Sequence, residues 1–338
     1  MKNVVTVTGR RRKRLRHNAR WGRHSACHML VLPVLIAAAW GQAQTPPAGG
    51  DAGFVFHTET RVVVCHTTVT DKTGRLITDL PKEAFAVFEN GVQQEIKLFR
   101  REDVPVSMGL IIDNSGSMLL KRAKVEAADL ALVEDSNPGD EVFVVNFADQ
   151  AFLDLPNNKD FTNDIGEMKE ALKRTDSRGQ TAMRDAVQMS LNHLNEKARR
   201  DKKVLVLVTD GEDNVSVVKM EDLVRSALQS DAVIYCVGLL GDEEPLNAMR
   251  AKRALEELAT ATGGEAFFPA DLSRVESIAH QVARDIRSQY TIEYTPSNAA
   301  LDGAYRQIKI AVNVPGKPVV RTRSGYYATP GRASEGAR

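Results

Sequence analysis

The chain has few cysteines, few aromatic residues and no long apolar run. Three cysteines in 338 residues exclude a disulfide-based scaffold. Only Cys65 and Cys236 lie beyond residue 43, in two different strand-like segments, so two buried free thiols are expected. No stretch approaches the roughly 20 apolar residues of a membrane helix, so no integral membrane segment is expected after removal of the N-terminal leader.

Acidic residues are missing from residues 1–43, which carry nine Lys and Arg residues instead. Twelve mostly apolar residues, Met29–Trp40, follow the basic region, and Gly41-Gln42-Ala43 closes the segment. This pattern predicts a secretory signal peptide over 1–43 and export to the periplasm or the cell exterior. The remaining chain holds 36 basic and 44 acidic residues, a net charge of −8, which disfavours nucleic acid and anionic membranes as partners.

The sequence also lacks the common catalytic motifs. It contains no Gly-x4-Gly-Lys-Ser/Thr phosphate loop and no Gly-x-Ser-x-Gly nucleophile turn. Four histidines follow the predicted leader, and no pair of them has zinc-ligand spacing: His57, His66, His193 and His280. No catalytic residue is therefore assigned, although a metal-dependent phosphoesterase remains an open alternative.

Apolar strand-like runs alternate with helical patterns through the middle of the chain. This alternation predicts an α/β fold, a doubly wound and mostly parallel sheet with helices on both faces. Strands are expected near 106–112, 141–147, 203–209, 232–237 and 265–268, and helices near 118–134, 163–173, 182–198, 219–230, 247–261 and 271–287.

Segments with β patterns flank this block on both sides. The C-terminal strands are expected over 289–294, 305–314 and 319–327. Each flank is short for an independent domain, so we expect the two to pair, with the α/β domain inserted into one small β-sandwich. The predicted divisions are the signal peptide 1–43, a linker 44–53, the N-terminal β segment 54–103, the α/β domain 104–287, the C-terminal β segment 288–328 and a tail 329–338.

Oxygen-bearing side chains follow two of the apolar strands and precede one helix. The run Asp113-Asn-Ser115-Gly-Ser117 follows the strand 106–112, and Asp210-Gly follows the strand ending at Thr209. The third element, Gly-Gln-Thr181, precedes the helix that starts near residue 182. Each motif alone is also ordinary turn and N-cap chemistry.

Together these motifs predict one metal site. The carboxyl ends of neighbouring parallel strands meet at one sheet edge and lie about 4.8 Å apart. Carboxylate and hydroxyl oxygens are hard ligands that suit Mg2+, with Mn2+ or Ca2+ as alternatives. The predicted metal-site residues are Asp113, Ser115, Ser117, Thr181 and Asp210.

The same residues resemble the von Willebrand factor type A domain. Asp-x-Ser-x-Ser after the first strand, Gly-x-Thr before a later helix and a strand ending in Thr-Asp-Gly match that family's metal-ion-dependent adhesion site, and Thr262-Gly263-Gly264 resembles the start of its last strand. The resemblance covers about 104–287. It implies that Ser115, Ser117 and Thr181 bind Mg2+ directly, with Asp113 and Asp210 acting largely through water. With the leader and the β flanks, the chain resembles exported bacterial proteins that have a VWFA-related domain.

This resemblance favours a non-catalytic, divalent-cation-dependent protein-binding module of the adhesion type. An open metal position would take an Asp or Glu side chain from a protein partner. A structural component of a cell-envelope assembly with a vestigial metal site remains an alternative, and nothing in the sequence indicates an oligomeric state. Glu212 and Asp213 are expected to be solvated loop charges, and the basic run 197–203 a solvated helix end.

Overall fold

The computed structural model describes residues 61–101, 103–135, 137–173 and 178–330. The predicted signal peptide 1–43, the linker 44–53 and nearly all of the tail 329–338 lie outside the described residues. Within the described ranges, no helix combines the length and the apolar character needed to cross a membrane.

Among the described residues, four β-strands precede the α/β block. A short 3-10 turn, Lys82–Ala84, lies between the first and the second of them. Asn90 and Gly91 have φ values of 48° and 83°, the left-handed pair that a tight two-residue hairpin requires. A two-residue turn at Asn90-Gly91 therefore joins the antiparallel strands β2 and β3. The strands are β1 Val63–Thr70, β2 Phe85–Glu89, β3 Val92–Gln94 and β4 Ile96–Arg100.

The α/β block follows with six helices and six strands among the described residues, and four more strands end the chain. The strands of the block are β5 Val106–Asp113, β6 Glu141–Phe147, β7 Ala151–Leu153, β8 Lys202–Thr209, β9 Val233–Gly238 and β10 Ala266–Phe267. The helices are α1 Arg122–Glu134, α2 Ile165–Lys173, α3 Met183–Lys197, α4 Met220–Ser230, α5 Pro245–Thr262 and α6 Val275–Ser288. The last strands are β11 Tyr290–Tyr294, β12 Tyr305–Val312, β13 Val319–Arg321 and β14 Gly325–Tyr327.

The central sheet has the strand order β10-β9-β8-β5-β6-β7. All its pairings are parallel except that of β7, which runs antiparallel to β6 at one edge. Helices α1, α2 and α6 contact one another as one group on the sheet, and α3, α4 and α5 form a second group. The helices cover the sheet, so every residue of β5 is buried. The predicted doubly wound fold is confirmed, and β5, at its centre, delivers the Asp113 motif to the carboxyl edge.

The flanking strands form two four-stranded sheets, ordered β13-β1-β11-β4 and β14-β12-β2-β3. Strands β1 and β4 pair antiparallel with β11, and β2 pairs antiparallel with β12. Strands from before and after the α/β block thus share both sheets and one apolar core that includes Phe85, Tyr290 and Tyr294. This pairing is the one expected if the α/β domain is inserted into a β-sandwich. The exact domain boundaries, after residue 103 and after residue 287, stay a prediction.

The C-terminal run 319–327 is not one strand, as predicted, but two strands in different sheets. It divides around Arg323, which is 6% exposed. The Arg323 Nε donates to the Gly325 carbonyl at 3.0 Å, and its guanidinium also contacts Asp231 and the Leu228 carbonyl. Arg323 is therefore buried against the end of α4, at the point where the backbone turns from β13 into β14.

The basic run 197–203 is also not wholly solvated. Lys202 is 4% exposed and its Nζ donates to the Ile286 carbonyl at the end of α6. Burial lowers the pKa of Lys202 to about 8. Its hydrocarbon stem is therefore part of the packing between β8 and α6.

Both cysteines beyond the predicted leader are buried free thiols, which confirms the prediction. Burial raises the pKa of both thiols, that of Cys65 to about 12. Neither side chain therefore has the thiolate character that reactive cysteines need.

Asp129 on α1 gives a testable pH dependence. It is 3% exposed, and its Oδ2 has no hydrogen-bond partner among the described residues. Burial, with a smaller contribution from the charge of Glu126, raises the pKa of Asp129 well above its ordinary value of 3.8. Above pH 3.8 the unfolded chain therefore releases the Asp129 proton, whereas the folded chain keeps it. The contribution of this protonation to the free energy of unfolding is complete at low pH and is lost as the pH rises to the raised pKa of the folded state.

Replacing Asp129 with asparagine is expected to raise the free energy of unfolding at pH 8 by about 1–3 kcal/mol. The gain should shrink as the pH falls to about 3, because below the ordinary pKa of 3.8 the aspartate is largely protonated in the unfolded state as well as in the folded state. Urea unfolding at the two pH values measures this difference. Glu134→Gln, an exposed change on the same helix, is the control; equal stability of Asp129→Asn and the parent at pH 8 would contradict the assignment.

Candidate metal centre

The candidate site lies at the carboxyl ends of β5 and β8, the two central strands. These strands pair in parallel with Ile112 opposite Val208, so Asp113 and Thr209 are neighbours at the ends of the strands. The Thr209 hydroxyl donates to Asp113 Oδ2 at 2.6 Å. Both residues are fully buried, which fixes the carboxylate at the start of the loop.

Asp113 orders the loop that follows it. Its Oδ1 accepts the backbone N–H of Ser115 at 2.8 Å, and the chain then enters a 3-10 turn, Gly116–Leu120. Helix α1 starts only at Arg122, later than the predicted 118, because this turn comes first. Both carboxylate oxygens of Asp113 are thus engaged in positioning neighbours.

Three side-chain oxygens form a continuous chain beside Asp113. The Oγ atoms of Ser115 and Ser117 lie 3.1 Å apart, and the Ser117 hydroxyl donates to Asp210 Oδ1 at 2.8 Å. Ser115 and Asp210 are buried whereas Ser117 is exposed. The oxygen cluster is therefore open to solvent on the Ser117 side.

Thr181 reaches the same edge through backbone contacts between three loops. The Gly116 N–H donates to the Gly179 carbonyl at 3.3 Å, and the Asn214 N–H donates to the Thr181 carbonyl at 3.1 Å. The Thr181 Oγ1 lies 4.0 Å from the position that a Cβ on Gly211 would take. The structure thus brings all five predicted residues to one sheet edge; their role as metal ligands stays a prediction.

Gly179 is required by the packing of this loop. Its φ is +88°, and a Cβ there would lie 2.5 Å from Asp149 Oδ2. The Asp149 Oδ1 accepts the N–H of Gln180 at 2.8 Å. A larger residue at 179 would be strained at this positive φ and would displace the Asp149 carboxylate that binds the Gln180 N–H.

The site concentrates negative charge in a region of low solvent access. Burial raises the pKa of Asp113 to about 6, against the hydrogen bonds from Thr209 and Ser115, and the nearby charge of Asp210 adds to the rise. A bound cation would relieve this repulsion. The donor set is all oxygen, two carboxylates with three hydroxyls, and it fits a small hard cation.

Lys121 is a part of the site that sequence reasoning missed. Its Nζ lies 2.8 Å from Asp210 Oδ2 and 3.2 Å from Asp242 Oδ2. Burial lowers the pKa of Lys121, but the hydrogen bonds and charges of Asp210 and Asp242 together raise it above its ordinary value. No spacing signal marks this contact, because Asp242 belongs to a loop that follows a different strand.

The prediction for Asp213 is wrong. Its side chain is 6% exposed, and it accepts the Arg184 backbone N–H at 2.7 Å and the Ser216 hydroxyl at 2.6 Å. The Asp213 carboxylate therefore binds the first turn of α3, where a negative charge is favoured. Glu212 lies 3.6 Å from Arg250 and stays 31% exposed.

No histidine contacts the site in the described ranges. His193 packs against Phe143 and Phe161, and its Nε2 meets the Asp160 carbonyl at 2.8 Å. His280 lies 2.6 Å from Asp135. The described residues also contain no group of three or more His, Cys, Asp or Glu side chains placed to hold a metal, so any ion at this site depends on the hydroxyls.

Comparison with known proteins gives a family match over the α/β block. A model of the von Willebrand factor type A domain matches residues 108–281, just over half of the chain. Calcium-activated chloride channel regulator 1 of Mus musculus is 30% identical over 168 residues, which are 48% of this chain and 17% of the mouse protein. The chain therefore spans far less than the length of this curated relative.

Two solved structures are among those to which this chain is similar. A von Willebrand factor type A protein from Catenulispora acidiphila is 15% identical with a TM-score of 0.48, and the match covers 80% of this chain and 75% of that one. The vWF domain of the type V pili tip protein Mfa5 from Porphyromonas gingivalis is 14% identical with a TM-score of 0.45, and the match covers 54% of this chain and 95% of that one.

Proposed function

This chain belongs to the von Willebrand factor type A domain family, and from that premise we propose that it is a non-catalytic, divalent-cation-dependent protein-binding module. The observation that carries the proposal is the chain of oxygens from Ser115 through Ser117 to Asp210, open to solvent on one side. Members of the family often mediate metal-dependent contacts between proteins, and we assign that role in this chain to the oxygen cluster.

In this proposal Ser115, Ser117 and Thr181 hold the ion directly, and Asp113 and Asp210 act largely through water. The arrangement of the carboxylates supports this division, because both oxygens of Asp113 already bind Thr209 and Ser115. Lys121 partly neutralises Asp210, which reduces the negative charge facing the ion. Mg2+ is the proposed ion, with Mn2+ or Ca2+ as substitutes, and when bound it supplies a Lewis-acidic position for a carboxylate.

The proposed partner is a protein that presents an Asp or Glu side chain. Neutral hydroxyl ligands leave an ion electron-poor, so an anionic side chain is the favoured additional ligand. A cation also allows a chain with an acidic surface to bind an acidic partner. We propose that the protein is exported and meets this partner in the periplasm or outside the cell, on the basis of the leader-like segment 1–43.

A catalytic role lacks support from the geometry. The Ser115 and Ser117 hydroxyls bind each other and Asp210, whereas the described histidines have other partners. A nucleophilic serine needs a base within hydrogen-bonding reach. The serines are therefore proposed as ligands and not as nucleophiles.

The test is affinity capture from the protein's own cell envelope, in Mg2+ and in EDTA. A partner should be retained in Mg2+ and released by EDTA, and Ser115→Ala should reduce its capture about tenfold or more, in line with the cost of disturbing a metal site. Ser277→Ala, an exposed serine on α6, is the matched control. Capture that persists in EDTA and in Ser115→Ala would contradict the proposal and favour a structural component of the envelope.

A further inference from the structure

The segment between β9 and α5 contacts residues that border the candidate metal centre. It contains a 3-10 turn, Leu240–Asp242, and its first residue, Leu239, donates its N–H to the Thr209 carbonyl at 2.8 Å. Thr209 immediately precedes Asp210 and binds Asp113. The segment is therefore anchored to the site at its start.

A second contact anchors the end of the turn. The Lys121 Nζ bridges Asp210 Oδ2 and Asp242 Oδ2, at 2.8 and 3.2 Å. The Lys121 side chain is only 8% exposed, whereas that of Asp242 is 82% exposed. The ammonium group thus ties a surface loop to a buried carboxylate of the site.

These two anchors direct the next residue, Glu243, towards the metal-site loops. Glu243 is half-buried, whereas Asp242 and Glu244 on either side are exposed. Its Oε1 lies 3.4 Å from the position that a Cβ on Gly211 would take, and Thr181 Oγ1 lies 4.0 Å from the same position. The Glu243 carboxylate therefore lies next to Gly211, the residue that follows Asp210, and Thr181 approaches the same glycine.

The surroundings of Glu243 offer little else for a carboxylate to bind. Among the described residues no cationic side chain forms an ion pair with it, and its charged neighbours include the carboxylates of Asp210 and Glu212 as well as Lys121. Burial, together with the charge of Asp210, raises the pKa of Glu243. A cation beside Thr181 is the partner that would offset the cost of placing a third carboxylate here.

We propose that Glu243 is an internal ligand: its carboxylate occupies the open metal position in the free protein, and a partner's acidic side chain binds by displacing it. This inference rests on the proposed function, since it requires a cation at the same site. The new element is that Glu243 of the same chain already fills the metal position to which the partner's carboxylate would bind. Partner affinity is then lowered by internal competition, because only the fraction with Glu243 released accepts an external carboxylate.

The test uses the purified full chain, Mn2+ as the ion and acetate as the external carboxylate. Calorimetry gives the Mn2+ affinity, and 17O relaxation of solvent water gives the number of exchangeable waters on bound Mn2+. In Glu243→Gln the bound Mn2+ should carry one additional exchangeable water, and its affinity should fall about tenfold. Acetate should bind the Mn2+-loaded variant more tightly than the Mn2+-loaded parent.

Glu244→Gln is the matched control, because it removes the same charge from the adjacent exposed position. It should leave the hydration of Mn2+ and the acetate affinity unchanged. If Glu243→Gln binds Mn2+ with the parent's hydration and acetate affinity, this inference is overturned while the proposed function stands. A parent chain that binds no Mn2+ overturns both.

Discussion

Replacing Asp285 with alanine is expected to lower the free energy of unfolding by about 3–5 kcal/mol, the usual cost of breaking a buried charged network from one side. Asp285 lies on α6 and is 3% exposed. Its carboxylate accepts the Thr68 hydroxyl at 2.7 Å, the Tyr235 hydroxyl at 2.9 Å and the Arg321 guanidinium at 2.8 Å. These partners lie on β1, β9 and β13, so one carboxylate joins the α/β block to the β-sandwich.

The loss should exceed that from an ordinary surface ion pair, because it leaves buried hydroxyls and a guanidinium without their acceptor. Urea unfolding at neutral pH measures it. Glu265→Ala is the control, since Glu265 also pairs with Arg321, at 2.9 Å, but is 37% exposed; it should cost less than about 1 kcal/mol. Equal losses in the two variants would contradict the special role of Asp285.

Replacing both Ser115 and Ser117 with alanine is expected to weaken Mn2+ binding by at least about 100-fold. Loss of an outer-sphere partner alone typically costs roughly 10–100-fold in metal affinity, and this double variant removes two proposed direct ligands. The fold should survive within about 1 kcal/mol, because Ser117 is exposed and alanine fits wherever serine does.

Calorimetric titration with Mn2+ and urea unfolding separate the two effects. The Ser273→Ala and Ser277→Ala double variant changes two exposed serines, one in the 3-10 turn before α6 and one in the first turn of α6, and should bind Mn2+ like the parent. Mn2+ affinity that is unchanged in the Ser115 and Ser117 variant would show that the hydroxyls are not ligands. Loss of folding together with binding would instead assign the serines a structural role.

The fold was predictable where local pattern and burial agree. The apolar runs that became β5, β8 and β9 are covered by helices on both faces, and only a central parallel sheet accommodates such runs. The convergence of Asp113, Ser115 and Asp210 follows from the same sheet, because neighbouring parallel strands end at one edge. Their burial and their hydrogen bonds to Thr209 and Ser117 then fix the geometry.

The elements that were missed depend on contacts distant in sequence. Strand β7 has three residues, of which Phe152 and Leu153 are exposed, so it carries no alternating pattern and is defined only by pairing with β6. Lys202, Asp213 and Arg323 are charged, and composition alone places such side chains in solvent. Each is buried because a carbonyl or a backbone N–H on another element binds it.

Lys121 and Glu243 illustrate the same limit at the site. The motif spacing locates the residues that resemble metal ligands, but the loop after β9 reaches them only through the tertiary fold. The contacts of that loop with Lys121 and Thr209, and its approach to Gly211, are therefore visible only in the structure.

The most direct test of the central claim is the anomalous density of a crystal soaked in Mn2+. We expect one peak among Ser115 Oγ, Ser117 Oγ and Thr181 Oγ1, at about 2.1 Å from each of them, with Asp113 and Asp210 in the surrounding shell. Density elsewhere in the molecule, or three hydroxyls turned away from a common centre with no peak between them, would contradict the account.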